Sequence, residues 1–245
     1  MAKILLIGII LTSMIAPMSI SADDPSQAGI NERLVILEVD CGITAAFPAE
    51  WIAQTPAEVI LLYEYLGTVH RACLMVADQL WFLDGAPEDM TPLEHFRFHF
   101  NRAALQLDRS TQLGNFWGNT APRYENGAVA GYMIQLAHEG FADESTFAHE
   151  MGHVVDGLLG DEPQRQHQRE VGGVASTIGW LPGDGYWGYE LLFPRSAAGP
   201  NEDFAETFGQ MMMGHLSPYN GTAPRWWFMI RHTSAWLYAI RELEG

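Results

Sequence analysis

The chain has 245 residues, room for one or two domains at roughly 100–200 residues each. It carries 30 acidic residues against 13 basic ones, a formal net charge of −17, and Lys3 is its only lysine. So acidic a field excludes nucleic acid and anionic membrane surfaces as natural partners.

Met1–Ala22 has a basic residue at position 3, an apolar run from Ile4 to Ile20, and Ser-Ile-Ser-Ala before Asp23-Asp24. That pattern predicts a secretory signal peptide, a secreted or periplasmic protein, and a mature chain spanning 23–245. No Cys stands at the cleavage point, which argues against a lipoprotein anchor. No later stretch reaches the roughly 18–20 charge-free apolar residues of a membrane span. Cys41 and Cys73 are an even pair in an exported chain, which points to one disulfide. Two buried free cysteines are the competing reading.

Asp23–Gly29 reads as a polar arm, and Arg33–Asp40 (RLVILEVD) as a strand. Thr55-Pro56-Ala57-Glu58 is a capping box with Pro at the first helical position. It opens a helix that runs to about Phe82, before Gly85. Phe96, Phe98 and Phe100 alternate with Arg97 and His99, the periodicity of a strand. Asn126-Gly127 is a turn signal, and Ala128–Ala137 reads as a strand. Asp143-Glu144-Ser145 opens a helix to about Leu159, stopped by Gly160. A Gly-rich, aromatic stretch covers Gly172–Gly199. Another helix opens at Pro200-Asn201 and ends near Gly214, and the Trp-rich tail Pro224–Leu243 reads as helical. This order predicts an α+β fold, a small mixed sheet covered by helices. No linker divides it, so 23–245 is read as one domain. Oligomeric state is not legible.

His149-Glu150-Met151-Gly152-His153 is HExxH. Positions i and i+4 of a helix stand one above the other, so two imidazoles can share one metal ion. Glu150 stands beside them, placed to take a proton from a metal-bound water. The competing reading is two surface histidines on an amphipathic helix. Catalytic zinc needs a third protein ligand. Leu159 stands where the third His of HExxHxxGxxH would be, which excludes that pattern. Asp156, one turn past His153, would crowd the other two ligands. It is better read as an acceptor behind them or as a buried partner of an Arg. His167 sits in a polar run beside two arginines. Glu202 and Glu206 share one face of a later helix beside Ala205 and Phe208, and an inward carboxylate pair needs a cation or donors. The helix macrodipole would account for Glu202 but not Glu206.

HEMGH followed by NEDFAETF resembles the glutamate-zincins. The NExxxE pattern is similar to the thermolysin-like arrangement. The 49-residue step from His153 to Glu202, the Asp at 156 and the form ExxAE look more like the catalytic domains of anthrax lethal factor and the bacterial Pro-Pro endopeptidases. The resemblance covers about Ala128–Gly214. It implies a zincin-like metallopeptidase fold, with Zn2+ held by His149, His153 and Glu202 and with Glu150 as general base. Glu206 would then orient a ligand imidazole. The lethal-factor-like group has a Tyr seven residues before its Glu ligand, where this chain has Arg195. Tyr186, Tyr189, Arg195, His215 and His232 are the candidates for stabilising the oxyanion, with Tyr189 taken as the catalytic one. The substrate implied is a polypeptide lying extended on an edge strand near Gly131–Leu136. Zinc-dependent hydrolysis of a non-peptide bond and non-catalytic metal binding remain the alternatives.

Overall fold

The computed structural model describes residues 26–45, 55–110, 118–137, 143–176, 179–182 and 199–243. The expected signal peptide lies outside them, as do Tyr186, Tyr189 and Arg195. The described residues form an α+β structure, mostly helical, with a small mixed sheet.

Helix α1, Gln27–Cys41, stands where a strand was expected at Arg33–Asp40. The Ser26 hydroxyl caps its start by accepting from the Gly29 N–H, and Gly42, at φ 65°, closes its end. Leu37 and Cys41 are four apart and Ile30 lies seven before Leu37, and all three are buried. That is helical spacing, visible only over a window longer than the eight residues that mimic a strand. Cys41 is bonded to Cys73, which ties α1 to the next helix. Closing a loop of 32 residues stabilises the fold by roughly 3–4 kcal/mol.

Helix α2, Pro56–Leu83, begins at the expected Thr55–Glu58 capping box. By length and composition it could cross a membrane, but half of its most apolar window is buried inside the fold. Glu64, Arg71 and Asp78 line its exposed face. Helix α3, Pro92–Phe100, corrects the second strand expectation. Thr91 and Glu94 make a capping box of the same form as Thr55 and Glu58, with Pro again at the first position. The pairs His95/His99 and Phe96/Phe100 are buried at i,i+4 while Phe98 is exposed. The alternation of phenylalanines is therefore incidental, and the cap decides.

The four-stranded sheet has β1 (Thr44–Ala45), β2 (Gln106–Ser110), β3 (Gly118–Glu125) and β4 (Ala128–Ala137) in the order β1-β2-β4-β3. Strands β1, β2 and β4 are parallel, and β3 is antiparallel to β4. The β3–β4 turn is Asn126-Gly127, both at positive φ, the backbone a two-residue hairpin requires. Strand β4 is thus paired on both sides. The expectation of a free edge at Gly131–Leu136 is corrected: β3 pairs the whole segment and β2 pairs it from Met133 onward, so the edge on that side is β3.

Helix α4, Glu144–Leu158, starts at Asp143, whose side chain accepts from the Thr146 N–H. It packs against the sheet, α2 and α6, with Phe147, Met151 and Val154 fully buried. Helix α5 (Glu162–Glu170) and the hairpin β5 (Gly173–Ser176) and β6 (Gly179–Pro182) follow. Helix α6, Pro200–Met212, and helix α7, Ala223–Glu242, form where expected. Phe204 of α6 meets Trp236 of α7 edge to face at 5.6 Å, behind the face of α6 that turns to α4.

Candidate metal centre

Helix α4 presents His149 and His153 on one side, their rings edge to face at 5.0 Å. Helix α6 brings Glu202 to both. Its Oε2 lies 3.2 Å from His149 Nε2 and its Oε1 3.4 Å from His153 Nε2. Glycine permits the approach. A Cβ on Gly152 would meet the Ala205 Cα at 2.8 Å, and one on Gly209 would meet the His149 N at 3.0 Å. The two helices touch through backbone, and that closeness sets Glu202 against the imidazoles.

His149, His153 and Glu202 are a group that could hold a metal ion. One atom from each of His149, His153 and Glu202 lies within 4.8 Å of the others. The two imidazoles meet different oxygens of the one carboxylate, Oε2 and Oε1. His149 also meets Glu206, its Nδ1 lying 3.1 Å from Oε2, and Gln210 donates to the other Glu206 oxygen at 2.9 Å. A neutral imidazole has one N–H and one lone pair. Facing carboxylates at both nitrogens, His149 needs either a second proton or a cation. Burial opposes its charge, yet the bonds to Glu202 and Glu206 push its pKa up to about 9. Burial raises Glu202, but the two imidazoles outweigh it and hold the carboxyl far below the usual range. A metal ion in place of the proton, with the N–H kept on Glu206, satisfies the same groups.

Glu150, 3 % exposed, lies on the side of α4 next to β3. Thr120 Oγ1 donates to its Oε2 at 2.8 Å. A Cβ at Gly118 would collide with the Glu150 carboxylate. Neither Thr120 nor Gly118 was expected. The signal that could have found them is the Asn126-Gly127 turn, which demands a strand before it as well as after it.

Asp156 is buried, and its Oδ1 accepts from the Gln164 N–H at 2.9 Å, joining α4 to α5. Burial, partly offset by that bond and reinforced by Asp161, pushes its pKa up to about 6. His167 stands apart from the cluster. It is buried on Thr207, which accepts its Nε2–H at 3.0 Å and an Arg225 N–H at 2.7 Å and donates to the Asp203 carbonyl at 2.9 Å. One donor and two acceptors exhaust a hydroxyl. Arg225 also donates to Asp203 Oδ1 at 2.6 Å, both side chains fully buried. This network holds the back of α6 while Glu202 and Glu206 face α4. His215 is exposed after α6, and His232 is held by Glu170 at 2.6 Å.

A scan against protein-family models, a search of curated proteins and a search of solved structures each found no match for this chain.

Proposed function

We propose that the chain is an exported zinc-dependent endopeptidase of the glutamate-zincin type. The observation that carries this reading is the meeting of His149, His153 and Glu202 from two helices, with Glu150 buried beside them. These three residues would hold Zn2+, which when bound lowers the pKa of a water and polarises the scissile carbonyl. Glu206 keeps the His149 proton on Nδ1, leaving Nε2 its lone pair. Glu150 takes the proton of the attacking water and passes it to the leaving amine. Thr120 occupies its Oε2, which leaves Oε1, beside Gly118, for that transfer.

A peptide in extended form adds to the outer side of β3, which no strand among the described residues pairs. Gly118 puts no side chain between that edge and Glu150. Tyr189, which stands six residues before the Arg195 that replaces the Tyr of the resembled group, is the proposed donor to the oxyanion. The Cys41–Cys73 bond supports an oxidising compartment.

A peptide-library digest read by mass spectrometry tests the proposal. Cleavage that stops with chelator and returns with added Zn2+ is the expected result. No cleavage of any peptide by zinc-loaded protein contradicts it and favours a non-peptide substrate or a non-catalytic site.

A further inference from the structure

A second group of metal-ligating side chains stands on other elements, where the end of α2 meets α3 and α7. Asp84 closes α2, and His95 and His99 are i and i+4 on α3. One ligand atom from each lies within 4.8 Å of the others. His95 Nε2 is 2.9 Å from Asp84 Oδ2. The other Asp84 oxygen accepts from Ser234 Oγ of α7 at 2.5 Å. The Leu237 backbone carbonyl of α7 bonds to the His99 ring.

The histidines are 2 % and 4 % exposed, yet the Nδ1 atoms of both rings are buried with no hydrogen-bond partner. Buried polar atoms are nearly always paired. The His99 Nδ1, in a ring 4.5 Å from that of His95 centre to centre, therefore points to an absent partner, and His95 offers beside it the Nε2 that already faces Asp84. Two imidazoles and a carboxylate suit a late first-row divalent ion. A backbone carbonyl on the far nitrogen of a ligand imidazole is the usual support for such a site. The positive field of Arg241 reaches His99, and the Asp84 carboxylate supplies the charge that opposes it.

We propose that Asp84, His95 and His99 form a second, structural site for a divalent ion of the zinc class, fastening the end of α2 to α3 beneath α7. The site is independent of the centre on α4 and α6, and the experiment keeps the two apart. Full-length wild type and the double variant His153→Ala/Glu202→Ala are stripped of metal and reloaded with Zn2+. They are then dialysed against zinc-free buffer, and their zinc is counted by mass spectrometry. The expected counts are two ions for wild type and one for the double variant. Zn2+ at a hundredfold over its Kd should raise the melting temperature of the double variant by about 5–10 °C. Adding Asp84→Ala, at a partly exposed position that leaves the buried histidines in place, should abolish both the ion and the shift. A double variant that holds no ion and whose melting temperature ignores Zn2+ overturns the proposal. So does a wild type holding one ion that His153→Ala/Glu202→Ala removes. An ion retained after Asp84→Ala overturns the assignment of Asp84. One ion in wild type, unaffected by His153→Ala/Glu202→Ala, supports this site and counts against the first.

Discussion

Gly152 of α4 lies against Ala205 of α6 so closely that a Cβ on the glycine would stand 2.8 Å from the Ala205 Cα. The residue that HExxH leaves unspecified before its second His is thus the one that lets α6 reach the imidazoles. Ala205 separates Glu202 from Glu206, so this contact fixes how far both carboxylates stand from His149.

Gly152→Ala should therefore separate the helices. Because the obstacle is backbone, the strain cannot be relieved by a rotamer change. A loss of about 1–3 kcal/mol in stability is expected, together with a fall in zinc affinity of at least about tenfold, the low end for disturbed support of a ligand. Thermal melts and chelator competition measure the two effects. Unchanged affinity would show that the contact does not set Glu202.

Thr120→Val keeps the shape of the side chain and removes the bond to Glu150 Oε2. A general base loses part of its orientation, so kcat should fall by about tenfold, a fraction of the 10²–10⁴ that general-base help supplies. KM and zinc content should stay near wild type. A wild-type kcat would remove Thr120 from the mechanism.

Arg225 and Asp203 are a fully buried ion pair. Arg225→Ala leaves a buried carboxylate without its main counter-charge and should lower stability by about 3–5 kcal/mol, read from urea unfolding. Replacing both partners together, as Arg225→Met/Asp203→Leu, should recover much of that loss. If the single variant is as stable as wild type, the network is not what holds the back of α6.

Burial and the Arg225 charge push His167 down from 6.5 to about 3. The folded state binds its proton less readily than the unfolded state does. Its contribution to stability is fully present above pH 6.5 and is lost as the pH falls from there toward 3. His167→Gln retains a donor for Thr207 and cannot take up a proton. Its unfolding free energy should fall less steeply than that of wild type between pH 6.5 and 4. Parallel slopes would mean that His167 is not a source of acid sensitivity.

The helices that carry His149, His153, Glu202 and Glu206 were legible because their caps and stops are local: Asp143 and Gly160 around α4, Pro200 and Gly214 around α6. The i,i+4 pairs His149/His153 and Glu202/Glu206 could be read from helical spacing alone. Helix α3 does not follow from the alternation over Phe96–Phe100, because the Thr91–Glu94 cap, five residues upstream, decides the conformation. Helix α1 does not follow from the apolar run Arg33–Asp40, because its buried positions, Ile30, Leu37 and Cys41, span more residues than that run. The hairpin of β3 with β4 is implied by the Asn126-Gly127 turn, but the pairing of β4 with β2 is a long-range fact that the pattern of one strand does not encode. Without it the edge could not be assigned to β3, and Thr120 and Gly118 could not be placed beside Glu150. The closeness of α4 and α6 hides in glycines at 152 and 209, which look unremarkable until a facing backbone is known.

In the proposed mechanism Glu150 works as a base beside an ion held by His149, His153 and Glu202. The most direct measurement is the turnover of Glu150→Gln on a peptide chosen by the library digest, with zinc counted in the same sample. Gln keeps the size and the Thr120 contact but cannot take the proton. Hydrolysis should fall by about 10²–10⁴-fold or more while zinc stays at the wild-type level. Turnover near that of wild type, with zinc in place, would show that Glu150 is not the base.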